Sequence, residues 1–370
     1  MPTPPETIVI TGIGPLCPAA LNVQELVAAA QSAGVTSADG PLLPFSRFDP
    51  QQFFGKRGFK YLTPATRYAL AASQLALQDA RLDDATYQPD QRGVMLGTNF
   101  AVHQILDQMD QVIVTEGVEA LQPMEAPNFS VNIPASQISI KHQFLAFNIT
   151  LTSMLVAGLE AVILGAQSIR RGRAQVVLAG ASEGTPPTSL ADHLGGSVAE
   201  GAACMLTLES LSTARARGAH IYAQVGQGAL WFAPGIENAE ASLRLEANIR
   251  RQLDRLVPQD QPEVHVCLLE TGFPLGRLAN EYLLKSLTER GIRVQQYPAT
   301  RPTAAEASVA PLLWLAASAA TYGEGLIIAT SPHGHVAMLR LEPIGKEGTQ
   351  ADQEPLAAIT ITTDDQRMPA

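Results

Sequence analysis

The sequence predicts an α/β protein of five layers, αβαβα, made of two similar halves. Three observations predict it. Short β-branched runs alternate with helical stretches along the chain. Two helices, one in each half, carry almost no charge, and a helix that is apolar all round must be buried on every side. The order of strand, helix and buried helix occurs twice.

Each element has its own reason. Thr7-Ile8-Val9-Ile10-Thr11 is a β-branched run that reads as a buried strand, ended by a turn at Gly12-Ile13-Gly14. Thr63-Pro64 combines an N-cap residue with a first-turn proline, so a helix runs from there to about Ala80. Gly93 to Gly97 is a short apolar strand. From His103 to about Glu116 the apolar residues Ile105, Leu106, Met109, Val112 and Ile113 recur at helical spacing. Leu145 to Leu151 reads as a strand, Ser153 to about Arg171 as the first fully buried helix, and Ala174 to Ala181 as a strand. Ala203 to Glu209 and His220 to Gly228 are further strands. In the second half, Glu263 to Leu269 is a strand whose end at Thr271-Gly272 parallels the opening strand. Arg277 to Arg290 is a helix, Ile292 to Gln296 a strand and Ala304 to Ala320 the second charge-free helix. Leu326 to Ala329 and His335 to Leu341 close the half as strands. This divides the chain into 1–230, 231–344 and a polar tail, 345–370, expected to be disordered apart from a strand at Ala358 to Thr362.

With 370 residues, 46% apolar and 16% charged, the chain can bury a large core. Its net charge of −10 disfavours nucleic acid, anionic membranes and strongly acidic protein partners, except at a local basic patch. Cys17, Cys204 and Cys267 form no CxxC pair, and their odd number argues against a disulfide framework. They read as core residues in a reducing, cytoplasmic setting. The first six residues lack a basic start and an apolar run, so no signal peptide is expected, and no stretch reaches the length of a membrane span. No metal signature and no cofactor motif is found. Gly12-x-Gly14 lacks the third glycine and the later acid of a nucleotide-binding turn. His333 and His335 are a pair without further ligands and read as loop residues. Arg170, Arg171 and Arg173 read as a solvated helix end, with a carrier-protein contact as the second reading.

Several segments resemble β-ketoacyl synthases of type II fatty acid and polyketide pathways. They are Val9 to Gly14, Arg67 to Ala72 with Ala76 to Ala80, Ile169 to Ala174 with Leu178 to Glu183, Glu200 to Ala203 with Leu208-Glu209, Ala214 to Ala219, and Pro274-Leu275-Gly276. The resemblance runs in order from Thr7 to Glu342 and implies a thiolase-like fold. In that family a cysteine opens the first buried helix, in a segment close to T-V-S-T-A-C-A-S-G. Here the segment reads Thr150-Leu151-Thr152-Ser153-Met154-Leu155-Val156-Ala157-Gly158, so Leu155 stands at the nucleophile's place. The family's two histidines fall on Leu269, counted back from Pro274-Leu275-Gly276, and on Pro302. No catalytic residue remains at these relic positions. Glu270 reads as a salt-bridging carboxylate. Ser153 reads as the N-cap of the buried helix, with a nucleophile as the other reading.

The resemblance implies a chain-length-factor-like subunit without the active-site cysteine. Such a subunit pairs with an active β-ketoacyl synthase as a heterodimer and meets acyl carrier protein mainly through that partner. Leucine in place of the glutamine of aromatic polyketide members suggests an aryl-polyene or other polyene pathway. Phe100, His103, Leu106 and Met109 are the candidates for the wall of the acyl-chain tunnel. Phe147, Asn148, Ile149, Thr150 and Leu151 are the candidates for the dimer interface. Two other readings stay open: a homodimeric acyl-binding pseudoenzyme scaffold, and an acyltransferase or hydrolase built on Ser153.

Overall fold

The computed structural model describes residues 6–32, 47–56, 59, 61–83, 86–123, 128–184, 201–233, 239–269, 274–296 and 308–344. Pro302, Glu270 and the tail from residue 345, with its expected strand, lie outside the described residues.

The strands are β1 (Ile8–Leu16), β2 (Arg92–Gly97), β3 (Phe147–Leu151), β4 (Val176–Glu183), β5 (Ala202–Ser210), β6 (Ala223–Phe232), β7 (Glu263–Cys267), β8 (Arg293–Gln296), β9 (Gly325–Thr330) and β10 (His335–Glu342). The helices are α1 (Val23–Ser32), α2 (Pro50–Phe54), α3 (Pro64–Asp79), α4 (His103–Glu116), α5 (Ile133–His142), α6 (Ala157–Arg170), α7 (Leu211–Ala216), α8 (Ala239–Leu256), α9 (Pro274–Glu289) and α10 (Ala310–Tyr322). The sheet runs β3-β2-β4-β5-β1-β6-β10-β9-β7-β8. Read outward from the centre, the strand order β1-β5-β4-β2-β3 is repeated as β6-β10-β9-β7-β8. Within the sheet, β1 and β6 join the halves through three residue pairs among the described residues, Ile8 to Ile10 against Ala223 to Val225.

Three layers of core separate the elements. Alternating residues of one strand face opposite sides, and the packing follows that period. Val176 and Leu178 of β4 pack with α3 and α5, while Val177, Ala179 and Ala181 face the central layer. In the second half Ile327 and Ala329 of β9 face the centre, and Leu326 and Ile328 pack with α8 and α9. The central layer is α6 and α10. The buried residues of α10 lie on every side, as its lack of charge predicts, whereas α6 leaves Glu160, Leu164, Gln167 and Arg170 only partly buried along one side. The architecture is the expected thiolase-like αβαβα.

Three expectations change. The strand β1 does not end at Gly12. It continues to Leu16 through a bulge between Ile10 and Gly12. A Cβ at Gly12 would lie 2.1 Å from the Ala76 carbonyl oxygen, and one at Gly14 2.0 Å from that of Ala72. The glycines serve close approach of α3 to the sheet rather than a turn. The counterpart of β1 is β6, not β7. Both β1 and β6 open their halves, lie innermost and carry a bulge near their start, β6 between Val225 and Gly228. The expected division after residue 230 falls inside β6. Finally, α10 starts at Ala310, with Pro311 in its first turn, rather than at Ala304; residues 297–307 are not described.

Candidate functional site

The site lies where β2, β3 and β4 end and α6 begins. Beyond Leu151 the chain turns sharply. Met154 takes φ +54°, a left-handed conformation uncommon for a residue with a side chain. A 3-10 turn over Met154–Val156 then leads into α6. The first buried helix is therefore split, because a left-handed residue cannot continue an α-helix.

Asn99 holds this elbow. Its Oδ1 accepts from the Met154 N–H at 2.9 Å, and its Nδ2 donates to the Met154 carbonyl at 3.1 Å. Both backbone groups of the strained residue are thus paired with one side chain. Asn99 is held in turn by Glu183, at the end of β4. The Glu183 carboxylate is fully buried. It accepts from the N–H groups of Asn99 (2.9 Å) and Phe100 (2.9 Å), from Asn99 Nδ2 (2.8 Å), from Thr98 Oγ1 (3.3 Å) and from Ser308 Oγ. Burial pushes this carboxyl above the ordinary carboxylate range, against the pull of those donors. Ser308 comes from the chain just before α10, which passes so close to α6 that a Cβ on Gly158 would lie 2.2 Å from the Ser308 carbonyl oxygen. One acid at the end of an apolar strand therefore ties β2, the elbow and the second half together.

Leu155 sits in this elbow and is buried. It offers no acid–base or nucleophilic group. Leu269, beyond β7, is buried and equally inert. All three cysteines are buried, on or beside strands, and none is in a disulfide among the described residues. Burial pushes the thiols of Cys204 and Cys267 well above the ordinary range, so neither is a ready thiolate. Ser153 does not cap the helix, contrary to expectation; its hydroxyl donates to Glu160, seven residues along α6. His335 Nδ1 lies 3.2 Å from Ser331 Oγ, and its ring meets Phe232 edge-on at 5.5 Å. Arg170 donates to the Val225 carbonyl at 2.8 Å, which ties α6 to β6, while Arg171 and Arg173 are exposed. Among the described residues no three His, Cys, Asp or Glu side chains gather as a metal site. Nor is any helix there long and apolar enough to cross a membrane.

The tunnel candidates start at the same place. Phe100 is buried next to Glu183, and its ring meets His103 edge-on at 5.6 Å. Met109 is buried one turn on with Ile105, whereas Leu106 faces outward. Of the interface candidates, Phe147 lies over Gly93, Asn148 donates to Ser139 Oγ at 2.8 Å, and Ile149 is exposed on the outer edge of the sheet. The Leu151 carbonyl accepts from the Thr98 N–H at 2.9 Å, which joins this edge to the segment leading into α4. Thr150 Oγ1 is buried without a hydrogen-bond partner among the described residues.

Sequence reasoning missed Asn99, Glu160 and Ser308. Glu183 was legible as a motif residue but not as the anchor of the elbow. Its signal is an acid ending a strand that is otherwise apolar or small.

Residues 28–194 match the profile of the β-ketoacyl synthase N-terminal domain. The chain is 25% identical over 285 residues to 3-oxoacyl-[acyl-carrier-protein] synthase 2 of Vibrio cholerae, covering 66% of this chain and 69% of that protein. It is 28% identical over 269 residues to granaticin polyketide putative β-ketoacyl synthase 1 of Streptomyces violaceoruber, covering 59% and 62%. Among solved structures it superposes on the ishigamide ketosynthase/chain length factor with a TM-score of 0.74 at 17% identity, covering 92% of this chain and 100% of that one. It also superposes on a type II polyketide synthase acyl-carrier protein in complex with its ketosynthase, with a TM-score of 0.76 at 22% identity and coverage of 92% and 100%. The chain is thus similar to the β-ketoacyl synthases and has a thiolase-like fold.

Proposed function

We propose that this chain is a non-catalytic chain-length-factor subunit. It pairs with an active β-ketoacyl synthase and shapes the tunnel that receives the growing acyl chain in a type II polyketide or polyene pathway. The observation that carries the reading is Leu155 in an intact elbow. The left-handed Met154, the Asn99 clamp and the buried Glu183 are all present, yet the residue that they position has no reactive group. A condensing enzyme needs a thiolate there to carry the acyl chain. The subunit therefore acts by packing: β3 meets the partner, and Phe100, His103, Leu106 and Met109 line the shared tunnel. The polyene assignment rests on the apolar residue at position 155.

The experiment is incubation of the isolated chain with acyl and malonyl carrier protein, with and without a co-expressed ketosynthase. No ketoacyl product is expected from the chain alone. Leu155→Cys is expected to be alkylated at the helix N-terminus without condensing, because Leu269 supplies no histidine. Turnover by the isolated wild type would refute the reading.

The hydrogen bond from Ser153 to Glu160 favours a second reading, an acyl transferase or hydrolase built on that serine. An acyl adduct on Ser153 in intact-protein mass spectrometry would support it. The homodimeric scaffold is separated from the main reading by the oligomeric state of the chain purified alone.

A further inference from the structure

The stretch from Phe100 to Leu151 combines two surface properties. It holds eight of the thirteen large apolar side chains exposed on the described residues, so this is where a partner is wanted. Leu106, Ile113 and Val114 of α4 are among them, with Ile140, Leu145 and Ile149. Its charge is one-sided. Asp107, Asp110, Glu116 and Glu119 are all exposed on α4 and the turn after it. The stretch contains no arginine and a single lysine. That lysine, Lys141, is engaged within the chain: its Nζ donates to Gln74 Oε1 at 3.1 Å and lies 4.7 Å from the centre of the Phe54 ring. Asp110 lies inside the apolar stripe. It follows Leu106 by four residues and precedes Ile113 by three and Val114 by four, so all share one side of the helix.

We propose that the stretch from α4 to β3 takes a partner chain that presents basic side chains to α4, and that the α4 carboxylates exclude a second copy of this chain. The inference rests on the interface reading above and adds the selection of the partner. A two-fold interface places one patch against itself. Here that sets acid against acid, and the single cation of the stretch, Lys141, is engaged within the chain. Asp110 would lose water among apolar groups without a counter-ion, which is strongly unfavourable. The apolar side chains adhere to either kind of partner. The charges decide between them, as like-charge contacts suppress a wrong pairing.

The test uses the full chain and its own charge-reversed form, Asp107→Lys/Asp110→Lys/Glu116→Lys/Glu119→Lys, in analytical ultracentrifugation. All four sites are exposed, and circular dichroism checks the fold. At about 50 mM salt, wild type and reversed chain are expected to pair at least about tenfold more tightly with each other than either with itself, and the preference is expected to vanish near 1 M salt. The neutral variant Asp107→Asn/Asp110→Asn/Glu116→Gln/Glu119→Gln is expected to self-associate at low salt where wild type does not. A tight wild-type homodimer at low salt, or a mixture that pairs no better than its components, overturns the inference. Ile149→Arg in each mixture separates the two levels. If it leaves association unchanged, the interface reading itself is wrong. If it abolishes association that shows no charge preference, only the charge selection is wrong.

Discussion

The two edge strands, β3 and β8, occupy the same place in the two halves and have opposite surfaces. Each pairs in parallel with one inner neighbour, β2 or β7, and neither pairs with a further strand among the described residues. At matching register positions, Ile149 lies opposite Met95 and Gln295 opposite His265. β8 is short and bears Arg293, Gln295 and Gln296 outward, with Arg293 paired to Glu263 at 3.4 Å. Charge and brevity are ordinary means of keeping a sheet edge from pairing. β3 is one residue longer and carries no charge. It presents Ile149, is flanked by exposed Ile140 and Leu145, and is joined at its end to the segment that leads into α4. Between β7 and β8 the described residues contain α9 alone, so α4 has no counterpart there. One topology thus carries a closed edge and an edge that calls for a partner. The difference is local in sequence.

The largest expected effect lies on those edges. Ile149→Arg should abolish co-purification with a tagged ketosynthase, because a charge buried without a counter-ion costs several kcal/mol. Gln295→Arg, at the matching position, should leave recovery unchanged. Equal recovery for both variants, each shown to be folded, would end the contrast and place the interface elsewhere.

A smaller effect separates the two bulged strands. A Cβ on Gly14 meets the α3 backbone, at the Ala72 carbonyl oxygen, whereas one on Gly228 meets only the Ile163 side chain, at 2.4 Å. Backbone cannot rotate away and a side chain can. Gly14→Ala should lower the unfolding free energy by about 3 kcal/mol and Gly228→Ala by about 1 kcal/mol. Urea denaturation of both variants checks the order, and the reverse order would show that the halves are not packed as described.

The smallest effect concerns pH at the first bulge. Asp79, the last residue of α3, accepts from the Ile13 N–H at 2.8 Å and from the Tyr222 hydroxyl at 3.0 Å. Burial pushes its carboxyl up to about 6. The folded chain therefore holds this proton more tightly than the unfolded one. Its contribution to stability is complete below about pH 4 and is lost as pH rises through about 6. That contribution should be on the order of 1–3 kcal/mol, and Asp79→Asn should remove it from the pH profile of stability. A variant profile parallel to that of wild type would show that Asp79 does not titrate in this window.

The layers were legible in the sequence because they rest on local pattern. An absence of charge marked α6 and α10 as central helices, and Thr63-Pro64 marked the start of α3, where Thr63 accepts from the Thr66 N–H. Leu155 was read at the nucleophile's place from its position in a motif. Boundaries and clamps were not legible in the same way. Gly12 and Gly14 look like turn residues in sequence, and only the approach of α3 reveals them as contact points.

The sequence by itself determined the ten strands, the helices α3, α4, α6, α9 and α10, and that position 155 carries no reactive group, whereas α1, α2, α5, α7 and α8 were not read from it. These follow from side-chain periodicity and chemistry, properties of residues near one another in the chain. Only the tertiary structure decided that β6 mirrors β1, that Asn99 and Glu183 clamp Met154 from 55 and 29 residues away in sequence, and that β3 is open where β8 is guarded. Those depend on which distant groups meet in a low-dielectric interior, and on which edge is left without a neighbour, and neither is written in any local window of the chain.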